Sequence, residues 1–228
     1  MIVITGANNG LGLELVKIFL KYNFYVLAIS KSNNNLNKIN NNNLKIITGN
    51  LNKKSTLKKI NKYVTKNNIH IDLLINNVGF SCIEKNPYFA FNQINKIINT
   101  NLISVMKLTN MILTIRKTND SKKIHIVNVL SKTAFKGNQN AIYSVSKWGL
   151  RGYSECLKEI YPNNNVMISN IVPCSMNTSY WTNKPKNIDK SKFANPTLVA
   201  NDIFIHLTSE KKYEDLILKK ERYSNIKM

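Results

Sequence analysis

The feature that most constrains the fold is a glycine-rich turn near the start of the chain. The mostly apolar run Ile2–Thr5 leads into it, and apolar residues recur at helical spacing over residues 13–20. Its glycines are Gly6, Gly10 and Gly12. Such glycines permit a tight turn and let the backbone approach a diphosphate, which binds at the N-terminus of the following helix. This unit predicts dinucleotide binding, and a turn needed only for packing is the alternative.

The rest of the chain alternates between short apolar runs and longer helical patterns. Further strands are predicted at residues 24–29, 44–48, 69–75, 124–130, 166–172 and 216–218. Helices are predicted around residues 57–64, 88–116, 141–161 and 196–207. This rhythm is typical of an α/β fold with a doubly wound parallel sheet and helices on both faces. At 228 residues, we expect a single domain spanning residues 1–228.

A second informative stretch follows the predicted strand at residues 124–130. The strand ends at Ser131, a polar loop follows, and a helical pattern then opens with Tyr143 and Lys147. Four residues is about one helical turn, so the phenol and the ammonium project from the same face. The strand end places Ser131 at the edge of the sheet, where open α/β folds bind ligands. These three groups together favour proton transfer to a carbonyl oxygen.

The spacing of Tyr143 and Lys147 has an electrostatic consequence. A free tyrosine has a pKa of ~10, too high for ready proton exchange at neutral pH. A cation about 4 Å away stabilises the phenolate by up to roughly 4 kcal/mol at an effective dielectric of ~20, and desolvation of the phenol opposes this. A tyrosine whose pKa is lowered part of the way is a usable general acid or base. The alternative is an exposed helix with an accidental Tyr-x-x-x-Lys spacing.

The net charge of +21 raises the question of a polyanionic partner. Lysine greatly outnumbers arginine, and asparagine and isoleucine are also abundant. These three residues have A/T-rich codons, so a biased genome composition accounts for the charge by itself. The basic residues are spread along the chain without a dense arginine-rich or aromatic-interleaved block. We therefore expect no nucleic-acid partner, and a basic nucleic-acid binder is the least favoured alternative.

The sequence also bears on cellular location. It contains no run of about 18 uncharged apolar residues, so we expect no membrane span. The first predicted strand begins directly after Met1, which leaves no room for a targeting segment ahead of it. The cysteines are scattered, odd in number and without metal-ligand spacing, at Cys82, Cys156 and Cys174. This usage fits a reducing compartment, and we predict a cytoplasmic protein.

The end of the second predicted strand bears on the choice of cofactor. In dinucleotide folds an acidic residue there favours a free ribose 2′-hydroxyl, whereas basic residues accommodate a 2′-phosphate. This chain has Ser30 and Lys31 at that point. NADP(H) is therefore favoured, with NAD(H) as the alternative. The asparagine-dense segment 33–43 that follows predicts a loop or a short, poorly specified helix.

Taken in order, these motifs resemble one family, the short-chain dehydrogenases/reductases, over essentially the whole chain. The matching residues are Thr5, Gly6, Gly10, Gly12, Asn76, Asn77, Val78, Gly79, Asn101, Ser131, Tyr143, Lys147 and the segment from Pro173 to Thr178. The resemblance implies a Rossmann-like fold. It also implies an NAD(P)-dependent oxidoreductase that acts on a small-molecule carbonyl or secondary alcohol. A cofactor-binding regulatory protein without catalysis is the main alternative.

The resemblance implies a role for each catalytic residue. Tyr143 is the general acid for carbonyl reduction, or the base for alcohol oxidation. Ser131 hydrogen-bonds the reacting oxygen, and Lys147 binds the nicotinamide ribose and lowers the tyrosine pKa. Asn101 kinks its helix and holds a water that links the lysine to solvent. We prefer it to Asn99 because the leucine that follows it fits the family pattern.

The resemblance also implies the residues around the cofactor. Those of the glycine-rich turn are Thr5, Gly6, Asn8, Asn9, Gly10, Leu11 and Gly12. Those near the adenosine are Ser30, Lys31, Asn50, Leu51, Asn77, Val78 and Gly79, and those near the carboxamide and diphosphate are Pro173, Met176 and Thr178. Two departures stand out, because Asn50 replaces the usual aspartate and Cys174 replaces the usual glycine after the proline.

The remaining expectations concern assembly and substrate. The resemblance implies a homodimer formed through the helices at 88–116 and 141–161. The short C-terminus lacks the glycine-bearing final segment of the tetrameric acyl-carrier-protein reductases, which argues against their tetramer. The polar, aperiodic stretch at about 174–195 predicts a substrate lid. Further wall segments of the substrate pocket are predicted at 80–84 and 133–139, and they do not define a substrate.

Overall fold

In the part of the chain that the structure describes, seven parallel strands form the central sheet. The structure, a computed structural model, describes residues 1–82, 90–116, 122–138, 140–162, 165–178 and 193–223. The strands are β1 (Ile2–Thr5), β2 (Val26–Ser30), β3 (Leu44–Thr48), β4 (Leu73–Asn76), β5 (Ile124–Val129), β6 (Val166–Val172) and β7 (Leu216–Ile217). They lie in the order β3-β2-β1-β4-β5-β6-β7, and every pairing is parallel. The predicted doubly wound parallel sheet is confirmed.

The described residues contain six α-helices. They are α1 (Gly10–Lys21), α2 (Lys54–Lys66), α3 (Phe91–Ile98), α4 (Ser104–Arg116), α5 (Ala141–Ile160) and α6 (Pro196–Thr208). Helices α1 and α6 share one buried apolar cluster with the sheet. Helices α2, α4 and α5 contribute to the cluster on the opposite face. No helix in the described ranges is long and apolar enough to span a membrane.

The central strands β1, β2, β4 and β5 are buried along their whole length, because both of their faces are covered. In β1, Ile2 and Ile4 belong to the α1–α6 cluster, whereas Val3 belongs to the opposite cluster. In β2, Ala28 and Leu27 divide between the two clusters in the same way. Since the strand order reverses between β1 and β4, a crevice opens where their carboxyl ends diverge.

The long helix predicted at 88–116 is interrupted. Helix α3 is followed by a π-helical turn, Asn99–Ile103, before α4 begins. Residues 88 and 89 lie outside the described ranges. The turn contains Asn101, at which the family resemblance implied a kink. Such turns occur frequently at functional sites.

Two other predictions differ from the structure. The strand expected at 69–75 begins only at Leu73, because Asn68, with φ 48°, and Ile69 still bond back to α2 in the turn that closes this helix. The apolar residues of the helix predicted at 141–161 also do not all face the sheet. Leu157 is buried, but Val145, Trp148 and Ile160 are 50–63% exposed. Small and polar residues fill the buried face instead, so periodicity identified the helix without identifying its inner side.

Candidate active site

The glycine-rich turn lies in the crevice and has the shape that a diphosphate requires. Gly10 has φ +52°, and a Cβ added to it would lie 3.2 Å from Cγ2 of Thr178. A Cβ added to Gly12 would lie 2.3 Å from the carbonyl oxygen of Gly6. No described side chain caps the first turn of α1, so its N–H groups are available to an anion. These residues therefore fit the diphosphate of a nicotinamide dinucleotide.

Thr5 and Asn77 fasten this turn to the loop after β4. Thr5 Oγ1 accepts the N–H groups of Asn77 and Val78, both at 3.0 Å. The amide nitrogen of Asn77 donates to the carbonyl oxygens of Thr5 and Gly6, at 3.0 and 3.3 Å. These two side chains thus hold the glycine-rich turn and the loop after β4 in a fixed relative position.

Four of the residues predicted to meet the adenosine, Ser30, Lys31, Asn50 and Leu51, lie at the ends of β2 and β3, and the other three follow β4. The N–H of Gly49 donates to the carbonyl of Ser30 at 2.8 Å, which joins the two strand ends. Lys31 is exposed, and Leu51 is buried. The Asn50 side-chain oxygen accepts the N–H of Asn52 at 3.1 Å. The side-chain amide nitrogen of Asn50 is not used in that bond, so it can donate a hydrogen bond to the adenine base.

Lys147 is a buried cation at the other end of the crevice. Its side chain is 2% exposed, and its ammonium donates to the carbonyl oxygen of Val129 at 2.7 Å. Burial lowers the pKa of Lys147 to about 8. The ammonium lies 5.9 Å from the centroid of the Tyr143 ring, and a Cβ added to Gly79 would lie 3.9 Å from it. The ammonium therefore lies close to both the tyrosine and the loop after β4.

Ser131 and Tyr143 are brought to this place by β5 and α5. Ser131 follows β5 with an extended backbone, and its hydroxyl accepts the N–H of Thr133 at 3.3 Å. Tyr143 is half-buried in the first turn of α5. Leu130 and Ala134, on either side of the serine, pack with Leu150 of α5. The predicted hydroxyl, phenol and ammonium thus lie where β5 meets the start of α5.

Asn101 is buried in the π-helical turn, and its side chain is fully hydrogen-bonded. Its amide oxygen accepts the N–H of Phe80 at 2.7 Å, and its amide nitrogen donates to the Phe80 carbonyl at 2.8 Å. The same nitrogen donates to Ser146 Oγ at 3.0 Å, and that hydroxyl donates to the carbonyl of Tyr143 at 2.7 Å. Asn101 therefore links the loop after β4 to the helix that carries Tyr143.

Ser146 is a site residue that the sequence reasoning missed. It is fully buried next to Lys147, on the face of α5 that packs toward the sheet. A serine directly before the lysine, on the same inner side of the helix, was the available signal. Its role depends on Asn101, which lies on another element, so periodicity within α5 could not reveal it.

Comparison with known proteins agrees with this geometry. The sequence model of the family described as short chain dehydrogenase matches residues 1–189. The chain belongs to the short-chain dehydrogenase family. No curated protein sequence matches it. Membership supports an oxidoreductase activity that uses a nicotinamide cofactor.

Solved structures of similar fold include several dehydrogenases and reductases. A 4-hydroxyisoleucine dehydrogenase variant, bound to NADH and succinate, has TM-score 0.84 and 22% identity, covering 95% of this chain and 96% of that chain. An alcohol dehydrogenase from Thermococcus sibiricus, bound to 5-hydroxy-NADP, has TM-score 0.83 and 18% identity, covering 99% and 98%. Actinorhodin polyketide ketoreductase, a variant with NADPH, has TM-score 0.82 and 17% identity, covering 97% and 96%. At these identities the likeness confirms the Rossmann-like fold.

This short-chain dehydrogenase departs from the family pattern in the segment after β6. Cys174 is buried, and burial raises the pKa of its thiol. It packs in the same cluster as Ala194 and Tyr223, so it acts as a small core residue. Met176 forms an isolated bridge with Ala194. Within the predicted lid at 174–195, residues 179–192 lie outside the described ranges, as do residues 83, 84 and 139 of the predicted substrate walls.

Proposed function

We propose that this short-chain dehydrogenase transfers hydride between NADP(H) and a small-molecule carbonyl or secondary alcohol, with Tyr143 exchanging the proton. The observation that carries the proposal is the Lys147 ammonium. It is buried, bonded to the end of β5, and 5.9 Å from the Tyr143 ring centroid. A desolvated cation placed beside a phenol is a means of stabilising the phenolate.

The proposed proton path uses three side chains. The bound nicotinamide supplies or accepts the hydride. In reduction, Tyr143 donates its phenolic proton to the substrate oxygen as that oxygen gains negative charge. The Ser131 hydroxyl donates a hydrogen bond to the same oxygen, and Lys147 stabilises the phenolate left behind. In oxidation the phenolate accepts the alcohol proton, and the same contacts operate in reverse.

Asn101 acts in this scheme through its backbone. Its side-chain oxygen and both side-chain hydrogens are already engaged by Phe80 and Ser146. We propose that the carbonyl group of Asn101, in the π-helical turn, holds a water that returns protons to Lys147. The side chain then has a separate task, which is to keep the loop after β4 at a fixed distance from Tyr143.

A substrate screen tests the proposed function directly. Purified wild-type protein with NADPH is offered aldehydes, ketones, keto acids, keto sugars and acyl thioesters, and absorbance of the reduced cofactor is followed. We expect oxidation of NADPH with at least one carbonyl class. Tight cofactor binding without turnover, in both directions and over the whole panel, would instead favour the non-catalytic regulatory protein.

The preference for NADP(H) rests on Lys31, an exposed ammonium directly after β2. A cation at this point favours the 2′-phosphate that distinguishes NADP(H) from NAD(H). Titration of the wild-type protein with each reduced cofactor is expected to give the lower Kd for NADPH. A lower Kd for NADH would contradict the assignment.

We propose a homodimer that forms through α4 and α5. Helix α5 exposes Val145, Trp148 and Ile160 at 58%, 50% and 63%, and α4 exposes Met106 at 36%. Apolar faces of this kind mark interaction sites. Light scattering is expected to give twice the chain mass for the wild type and the chain mass for Trp148→Lys. A monomeric wild type would refute the dimer.

We also propose a cytoplasmic location, since no disulfide joins the three cysteines.

A further inference from the structure

Asn8, in the glycine-rich turn, holds the loop that follows β2. Its side chain is 5% exposed. The amide oxygen accepts the N–H groups of Asn35 and Leu36, at 3.0 and 3.2 Å. The amide nitrogen donates to Ser32 Oγ at 3.1 Å. One buried side chain thus bonds to three residues of the loop.

Asn35 returns these contacts from the loop side. Its amide nitrogen donates to the carbonyl oxygen of Asn8 at 3.0 Å and to Asn9 Oδ1 at 2.9 Å. Leu36, the next residue, is completely buried in the cluster beneath α1 and α6. We call the hydrogen bonds between Asn8 or Asn9 and residues 32–36 the asparagine clamp. It joins the cofactor turn to the start of a segment whose asparagines we first attributed to genome composition.

A short, mostly exposed segment, residues 31–34, is held at both ends, and the asparagine clamp holds the second of them. At its beginning, the Ser30 hydroxyl donates to the carbonyl oxygen of Ser32. At its end, the Asn35 N–H bonds to Asn8. Between these points, Lys31, Ser32 and Asn34 are exposed to solvent. The segment therefore presents an ammonium, a hydroxyl and an amide from a backbone held at both ends.

Packing alone does not explain this arrangement. Burial of Leu36 anchors the chain after the segment, yet the Asn8 and Asn35 amides add bonds on the side that faces the glycine-rich turn. That side lies at the end of β2, where the adenosine ribose binds in dinucleotide folds. A phosphate is held well by cationic and hydroxyl donors whose positions are fixed in advance.

We propose that Asn8 and Asn35 are positioning residues for cofactor choice, which hold residues 31–34 ready to receive the 2′-phosphate of NADP(H). The proposal rests on the proposed use of NADP(H). The two amides do not touch the phosphate themselves. They act through Lys31 and Ser32, so their loss is expected to weaken NADPH much more than NADH.

The test compares Kd values for NADPH and NADH, measured by fluorescence titration without turnover. The variants are Asn35→Ala, which removes two bonds of the asparagine clamp, and Asn9→Ala, which removes one of them from an exposed position. Asn40→Ala, exposed in the same asparagine-dense segment, is the control. We expect Asn35→Ala to raise the NADPH Kd about tenfold and the NADH Kd less than threefold. Asn9→Ala should raise the Kd values less, again with a larger effect on NADPH than on NADH. The control should change neither Kd.

Each other outcome argues, in a distinguishable way, against the proposed role of the asparagine clamp in cofactor choice. Equal weakening of both cofactors by Asn35→Ala would show that the contacts only support the glycine-rich turn. Unchanged Kd values in a folded variant would show that the loop is held without them. A wild type that binds both cofactors equally would remove the cofactor preference and this inference together, while leaving hydride transfer open to the substrate screen. Thermal unfolding of each variant verifies that it is folded. If Asn35→Ala does not fold, the comparison of the two Kd values is made with Asn9→Ala.

Discussion

The two ends of the crevice are constructed in different ways. At the end predicted to bind adenosine, the shape of the crevice depends on glycines, backbone groups and asparagine amides that bond to one another. At the opposite end, it depends on one phenol, one hydroxyl and one buried ammonium delivered by β5 and α5. The first end requires the lack of a side chain at Gly12, whereas the second requires the charge of Lys147. Binding and chemistry should therefore respond to different substitutions.

Among the substitutions that compare the two ends of the crevice, removal of the buried charge is expected to have the largest effect. Lys147→Met should lower turnover by about 10³-fold, because the phenolate of Tyr143 loses its stabilising cation. Steady-state kinetics at saturating cofactor measure this. Lys158→Met, on the same helix but 34% exposed, is the matched control and should stay within about threefold. Comparable losses in the two variants would show that the position of Lys147 has no special role.

The pKa of Lys147 makes a separate prediction about stability. Below pH about 8 the lysine is protonated in both the folded and the unfolded chain, and the folded chain bears the whole penalty of burying the charge. Between about 8 and 10.5 the unfolded chain binds more protons, so the free energy of unfolding rises with pH. Relative to Lys147→Met, the wild type should gain up to roughly 3 kcal/mol over this range. Denaturant unfolding at several pH values measures the difference, and a constant difference would contradict the burial of a charge.

A smaller effect, confined to binding, is expected at the adenosine end. Gly12→Ala places a Cβ 2.3 Å from the Gly6 carbonyl oxygen and 2.5 Å from the Asn77 amide nitrogen, so the turn must shift. We expect the Kd of both cofactors to rise about hundredfold, equivalent to about 2.7 kcal/mol.

Gly152→Ala is the matched control for that substitution. Beyond its own stretch of helix, the added Cβ would meet no heavy atom of the described residues within 4 Å, and the residue lies inside α5. Cofactor binding should be unchanged, and the helix should gain up to about 1 kcal/mol. Isothermal titration and thermal unfolding together separate the two glycines. If Gly12→Ala and Gly152→Ala gave equal Kd values for the cofactors, cofactor binding would not depend on the space at Gly12. The distinction between the two ends of the crevice would then be wrong.

Much of the fold followed from local patterns. The alternation of strands and helices predicted the parallel sheet, because each strand had to be covered on both faces. The spacing of Tyr143 and Lys147 predicted their common face because both lie within one helical turn. The family motifs predicted where the chain would be kinked at Asn101. These inferences needed only residues close together in sequence.

The remaining features depend on contacts between distant elements. The Asn101 side chain bonds to Phe80 and to Ser146, which lies 45 residues away. Asn8 bonds to Asn35 across 27 residues. In a chain so rich in asparagine, composition and periodicity do not separate these buried amides from exposed ones, and only the family pattern singled out Asn101. The inner side of α5 was obscured for a related reason, since apolar residues lie on both its buried and its exposed faces.

The most direct test of the proposed mechanism is Tyr143→Phe, with turnover and NADPH binding measured on the same preparation. We predict that turnover falls below detection, because no group remains to exchange the proton. The NADPH Kd should change less than about threefold, because the ammonium of Lys147 and the glycine-rich turn are retained. Turnover equal to the wild type would contradict the central claim that the Tyr143 phenol exchanges the proton with the substrate.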